Sequence, residues 1–287
     1  MENQNRQVLL KRRPGGAPAG DDFEIVDAPI PDPADGEALV RGIYLSLDPY
    51  MRGRMSAARS YARPVEVGAV MEGRVVGRVV RSRDPGFRAG DYVLGGYGWQ
   101  LYSAVPANGL VKLEPNEAPL STALGVLGMP GLTAYVGLSD IGRPQRGETV
   151  VVSAASGAVG AVVGQLAKRV GGAVQQAVFP RLNDFGRMVM CGMVSEYNDV
   201  EPRPGPNLMA AVRKRLKIQG FIVSDGWQRF GEYRAMAAPL IRSGELKYRE
   251  DIVDGLDRAP EAFIGLLAGR NFGKLLVKLG DDPTRPG

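Results

Sequence analysis

Along residues 149–170 the order of apolar and small side chains changes period once. Thr149-Val-Val-Val152 is a run of strand formers and 153–157 is a turn of small residues. Val159, Val162, Val163, Leu166, Ala167 and Val170 then recur at helical spacing. The pattern predicts strand, tight turn and helix, the helix presenting one apolar face to a sheet. Toward the N-terminus the apolar runs are shorter, and residues 8–12, 38–46, 74–81 and 91–94 read as strands. Gly, Pro and Asp gather between them at 14–20, 29–36 and 84–90, so residues 1 to about 120 are expected to form a compact, mostly β barrel. Residues 48–55 read as a loop within it.

The strand–turn–helix setting gives the glycine spacing a meaning it would lack alone, since the chain holds 39 glycines. Ala155-x-Gly157-x-x-Gly160 stands where a dinucleotide fingerprint stands, with alanine in the first place. Gly157 would let the backbone approach a pyrophosphate, and Gly160 would let the helix sit close on its strand. Gly157, Ala158, Val159 and Gly160 are therefore candidate cofactor contacts, at a helix end that directs N–H groups and partial positive charge at phosphate. The stretch 149–167 is uncharged and near the roughly 20 residues of a membrane span. Ser153, Ser156, Gln165 and the glycines make it a buried strand and helix instead.

Composition narrows the chemistry. A chain of 287 residues, 44% hydrophobic, is expected to form two domains with buried cores. The net charge of +5 and pI near 9.3 suit an anionic ligand. The charges are scattered and do not interleave with aromatics, which argues against nucleic acid. Cys191 is the single cysteine, so no internal disulfide is possible and a reducing cytoplasm is expected. The polar, basic N-terminus has no leader pattern, and no membrane association is expected. The chain has no histidine. That excludes Ser-His-Asp and Cys-His nucleophile pairs and a zinc site built from cysteine and histidine. Proton transfer is left to Tyr, Lys, a carboxylate or water.

Ser46-Leu-Asp-Pro-Tyr-Met-Arg-Gly-Arg-Met55, Gly128-Met-Pro-Gly-Leu-Thr-Ala-Tyr135, Ala154-Ala-Ser-Gly-Ala-Val-Gly160 and Cys191-Gly-Met-Val-Ser-Glu-Tyr-Asn198 occur in that order. Phe221-Ile-Val223 and Asn271-Phe-Gly-Lys274 follow. Together they resemble the zinc-free branch of the medium-chain dehydrogenase/reductase superfamily, in the leukotriene B4 dehydrogenase, prostaglandin reductase and curcumin reductase group. The resemblance implies an α/β protein with a GroES-like β-barrel and a Rossmann-type nucleotide-binding domain. Its boundaries would be 1–120 for the barrel, 121–245 for the NADP-binding domain, and 246–287 returning to the barrel. Where zinc-dependent relatives carry a Gly-His-Glu metal motif, this chain reads Met71-Glu-Gly-Arg.

The implied activity is NADPH-dependent reduction of the carbon–carbon double bond of enones and enals. Hydride goes to the β carbon while charge develops on the carbonyl oxygen, so a donor aimed at that oxygen is required. By resemblance Tyr197 is that donor and Tyr50 lines the substrate pocket. Cys191, Gly192, Ser195, Tyr197, Phe221, Ile222, Val223 and Asn271 would join the glycine turn around the cofactor. Two alternatives stay open, quinone reduction by a zinc-free relative and an impaired chain that acts through protein contacts. A homodimer is expected.

The chain departs from this pattern after the first helix. A dinucleotide-binding half needs further strands there, and a group about 20 residues on to hold the ribose or its phosphate. At that distance residues 171–184 look helical, and the next strand-like run is 187–191. The helix ending near Lys168 is expected to be fused, around 168–172, to a segment that belongs much later in the fold. About two βαβ units, roughly 60 residues, would be absent, with the lysine that meets the 2′-phosphate.

Overall fold

The computed structural model describes residues 4–170, 182–192, 194–201 and 208–285. Its backbone separates into two units. The first comprises residues 1–124, 194–201 and 250–287, and the second 125–193 and 202–249. The boundaries expected near 121 and 246 thus fall at 125 and 250, and the Ser-Glu-Tyr-Asn loop groups with the first unit.

The first unit is built from strands β1 (Gln4–Leu10), β2 (Phe23–Pro29), β3 (Glu37–Ser46), β4 (Arg74–Ser82), β5 (Tyr92–Gly96), β6 (Tyr102–Pro106) and β7 (Val111–Leu113). The short helix α1 (Tyr50–Arg54) follows β3. Strand β3 is long and centrally placed, and two register shifts along it let it serve several partners. It pairs with β4 along most of its length and with β6 at its start. At its end it meets β11 (Lys274–Lys278), which runs parallel to β10 (Glu250–Asp254). Its side chains divide between two cores, and the register shift between Gly42 and Tyr44 interrupts strict alternation. Ala38, Val40 and Leu45 enter the core holding Phe23, Trp99 and Phe263, while Ile43 and Tyr44 join Val76, Leu94 and Leu276. Trp99 stacks on Phe23 at 5.7 Å and meets the edge of Phe263, from α6 (Ala259–Leu267), at 5.5 Å. The strands read from sequence in this unit are present. Residues 48–55, read as a loop, are instead largely the helix α1, preceded by Pro49, whose φ of −58° already suits a helix.

The second unit holds α2 (Met129–Val136), α3 (Gly160–Val170), β8 (Arg187–Met190), α4 (Met209–Lys214), β9 (Lys217–Gly220) and α5 (Phe230–Arg242). Helix α2 packs on α5 through Tyr233, which is fully buried and donates its hydroxyl proton to the Val126 carbonyl. Gly131 is glycine because a Cβ there would overlap that hydroxyl. Strands β8 and β9 are parallel and pair only with each other among the described residues. Helix α3 forms as the spacing predicts, burying Val162, Leu166 and Ala167.

Thr149–Val152 is a correction, because this segment is not a strand. Strand propensity describes fit to a sheet surface, and a parallel strand is held by neighbours on its flanks. The described residues supply none. The expected helical stretch and the junction itself fall largely on 171–181, outside the described residues.

Candidate active site

Tyr50 opens α1 and is half-buried. The Arg54 guanidinium lies 5.5 Å from its ring centre and 4.6 Å from that of Tyr61. Burial raises the Tyr50 phenol above its ordinary value, and the nearby carboxylates of Asp48 and Glu72 push the same way. The hydroxyl therefore stays protonated at neutral pH and is a donor. Arg54 is itself buried and paired with Glu72 at 2.5 Å. Glu72 belongs to the Met71-Glu-Gly-Arg stretch that stands where zinc-dependent relatives place a metal ligand. No group of metal-ligating side chains occurs among the described residues.

Tyr197 follows the single helical turn Val194–Glu196 and is half-buried. Its N–H donates to the Val194 carbonyl at 3.4 Å. The Ser195 side chain lies outside what is described. Asn198, the next residue, sets its carbonyl 3.8 Å from where a Cβ on Gly16 would stand. Gly16 is in turn held by Arg52 of α1, whose guanidinium donates to the Gly16 carbonyl at 2.7 and 3.2 Å.

Asn271 donates its side-chain N–H to the Gly273 carbonyl at 2.9 Å, shaping the turn into β11. Lys274, first residue of that strand, is buried and pairs with Asp48 at 2.8 Å, donating also to the Leu47 carbonyl at 2.7 Å. The Ser46 hydroxyl caps the other Asp48 oxygen. Tyr50, Tyr197 and Asn271 come from distant parts of the chain. Within the first unit the Asp48–Lys274 pair joins the segments of Tyr50 and Asn271, and Arg52 joins α1 to Gly16, which lies beside Asn198. Asp48, Arg52 and Lys274 stand inside the sequence motifs, where no role distinguishes them. Their only signal was a charge standing among residues that are otherwise buried.

The other candidates lie in the second unit. Gly157 closes the turn by donating to the Ala154 carbonyl at 2.9 Å, and its own carbonyl accepts from Ala161 in α3. Ala154 has a φ of +49°, and a Cβ on Gly160 would overlap its carbonyl, so this glycine lets the helix start close on the turn, and not on the expected strand. Ala158 and Val159 are half-buried between them. Cys191 and Gly192 leave the C-terminal end of β8 and are exposed. Phe221, Ile222 and Val223 leave the corresponding end of β9, where the Phe221 N–H donates to the Met190 carbonyl at 3.0 Å. The carboxyl ends of parallel strands are where open α/β sheets bind ligands, and these two segments adjoin there. The residues present therefore suit the pyrophosphate and nicotinamide end of a dinucleotide. No described residue can be assigned to the 2′-phosphate.

A family model described as the N-terminal domain of oxidoreductase matches residues 6–113. The chain is 41% identical to the NADPH-dependent curcumin reductase of Escherichia coli, covering 98% of this chain and 99% of that one. It is 35% identical to the NADP(+)-dependent 2-alkenal reductase of Nicotiana tabacum, covering 96% and 98%. The crystal structure of CurA from Vibrio vulnificus in complex with NADPH superposes with a TM-score of 0.89 at 39% identity, covering 96% of this chain and 99% of that chain. The Escherichia coli alignment runs over 342 positions, 55 more than this chain's 287 residues. At least that many positions of the relative face no residue here, in keeping with the gap of roughly two βαβ units.

Proposed function

The chain belongs to the zinc-free branch of the medium-chain dehydrogenase/reductase superfamily, in the curcumin, alkenal and prostaglandin reductase group, and on that premise we propose that it reduces the carbon–carbon double bond of enones and enals. The observation that carries this reading is the near full-length identity to reductases of that activity. When bound, NADPH supplies the hydride added at the β carbon. The Gly157–Gly160 turn and the N-terminus of α3 would hold its pyrophosphate. In the second unit Cys191, Gly192, Phe221, Ile222 and Val223 would meet its nicotinamide end, and in the first Ser195 and Asn271 are the candidate cofactor contacts that the resemblance implies.

Tyr197 donates its hydroxyl hydrogen bond to the carbonyl oxygen, where negative charge gathers as the β carbon is reduced. Tyr50 lines the pocket as a second phenol that stays protonated at neutral pH. A proton from water completes the product at the α carbon. The same reading takes the protein to be a cytoplasmic homodimer with small-molecule substrates. Initial rates with 2-alkenals and with quinones, each at saturating NADPH, test it. Turnover of alkenals above quinones is expected, and turnover of quinones alone would replace it with quinone reduction. The Thr149–Val152 segment, without a partner strand among the described residues, and the 55 unmatched positions favour a second reading, an impaired chain. That reading predicts weak coenzyme binding and little turnover of either substrate.

A further inference from the structure

We infer that Arg52 is a positioning residue that couples the helix carrying Tyr50 to the loop carrying Tyr197. The inference rests on the reading above for its catalytic consequence, whereas the coupling itself stands on geometry. Arg52 and Arg54 lie on the same five-residue helix and are equally buried, each 7% exposed. Their charges are met in opposite ways. Arg54 pairs with Glu72 and faces two tyrosine rings, a local arrangement. Arg52 forms no ion pair among the described residues. The Asp22 carboxylate, whose charge it feels, is taken by Arg12 at 2.7 Å and by the Ala19 N–H at 2.8 Å.

A buried guanidinium without a carboxylate is costly unless its N–H groups are satisfied. Arg52 sets its Nε and Nη2 on backbone carbonyls. Two of its nitrogens converge on the Gly16 carbonyl, and one reaches the Pro14 carbonyl at 3.5 Å. The segment it grips, Pro14-Gly-Gly16, has two glycines and little conformational preference of its own. Beyond Gly16 stand the Asn198 carbonyl and, at 4.0 Å from the same Cβ position, the Val200 side chain. Gly16 is thus a wall for the loop in which Tyr197 adjoins Asn198. The rigid fork of Arg52 holds that wall at a fixed distance from α1. A planar guanidinium reaching two carbonyls cannot be replaced by an ammonium, which offers no fork.

The test uses the full chain and Arg52→Met, Arg52→Lys and Gly16→Leu. Backbone hydrogen exchange, read by mass spectrometry, reports the coupling without any need for turnover. Exchange over 194–201 should accelerate in Arg52→Met roughly tenfold, with β3 and β4 unchanged, and Arg52→Lys should restore it only in part. Gly16→Leu leaves the Gly16 carbonyl to Arg52 and adds bulk beyond a Cβ that would already touch Asn198 and Val200, and should accelerate the same segment, so it decides the matter if Arg52→Met fails to fold. Unchanged exchange over 194–201 in folded variants overturns the inference. With alkenal substrate, kcat should fall roughly 10- to 100-fold at nearly constant KM, the signature of misplaced reacting groups. Faster exchange with kcat and KM both unchanged also overturns it. A wild-type chain without reductase activity would defeat the proposed function, while the exchange measurement would still decide the coupling.

Discussion

With no histidine in the chain, proton transfer is left to tyrosine, lysine, a carboxylate or water, and the phenols are the candidates that the motifs supply. Tyr50 shows what this fold does to one: burial first, and then two carboxylates, keep its proton in place. If the Tyr197 hydroxyl donates to the developing enolate, Tyr197→Phe should lower kcat by roughly 10²-fold, as losing one oxyanion donor does. Coenzyme affinity should change much less, and an unchanged kcat would move the role to water or the ribose. The same absence of histidine makes turnover insensitive to chelators, which steady-state rates with and without EDTA will show. Inhibition reversed by zinc would refute that. Lys274 and Asp48 carry a different kind of prediction, since both are almost wholly buried. Lys274→Met leaves a carboxylate buried without its cation and should cost about 3–5 kcal/mol in denaturant unfolding. Adding Asp48→Asn should recover part of that loss. Such pairs were not legible in the sequence, because propensity and periodicity carry no information about which distant charges meet.

At the scale of elements, β1, β3, β4 and β5 were legible because alternation and turn residues are local signals, and the α3 face was legible for the same reason. Thr149–Val152 was not. Its run of β-branched residues states a preference that only neighbouring strands can satisfy, and the described residues offer none. Helix α1 escaped because five residues including Gly53 give too short a window for a 3.6-residue period. Packing of α5 brings a testable charge cluster. Arg229 bonds to Glu232 and to the Tyr135 hydroxyl of α2, and it pairs with Asp140. The guanidinium first, and then the Tyr135 hydroxyl, hold the Glu232 carboxyl down from 4.5 to about 2. Native Glu232 thus binds its proton more weakly than the unfolded chain does. Its contribution is full above pH 4.5 and is lost as pH falls toward 2. Glu232→Gln should lower the urea midpoint at pH 7 by a small amount, as exposed pairs do, and the difference should shrink to nothing by the acid end. A difference independent of pH would show that the cluster acts by packing and not by charge.

For the whole molecule the decisive feature is the shortfall of at least 55 positions against a reductase that is otherwise matched end to end. The first unit has a seven-stranded sheet and a two-stranded one, and buried polar groups fix the segments next to Tyr50 and Asn271. The second keeps the glycine turn and the ends of β8 and β9, but its described sheet is a single parallel pair. Phe185, Leu208, Met209, Val212 and Ile218, in and around β8, α4 and β9, are exposed. Such a pair offers edges to another chain, so self-association is expected to accompany any loss of function. Coenzyme binding should be unequal along the dinucleotide, intact at the pyrophosphate and poor at the adenosine phosphate. A charge-assisted contact to phosphate contributes about 1.5–3 kcal/mol, so losing it weakens binding roughly 10- to 100-fold. NADH lacks the phosphate and is indifferent to that contact. Calorimetric titration of a chain verified by intact mass should therefore give weak affinities for NADPH and NADH that nearly coincide. Inserting the segment of a full-length relative between Lys168 and Gly172 should restore tight binding for NADPH and leave NADH behind. Tight, NADPH-selective binding by the verified chain would mean that other residues of this protein hold the 2′-phosphate, and that the gap spares the site.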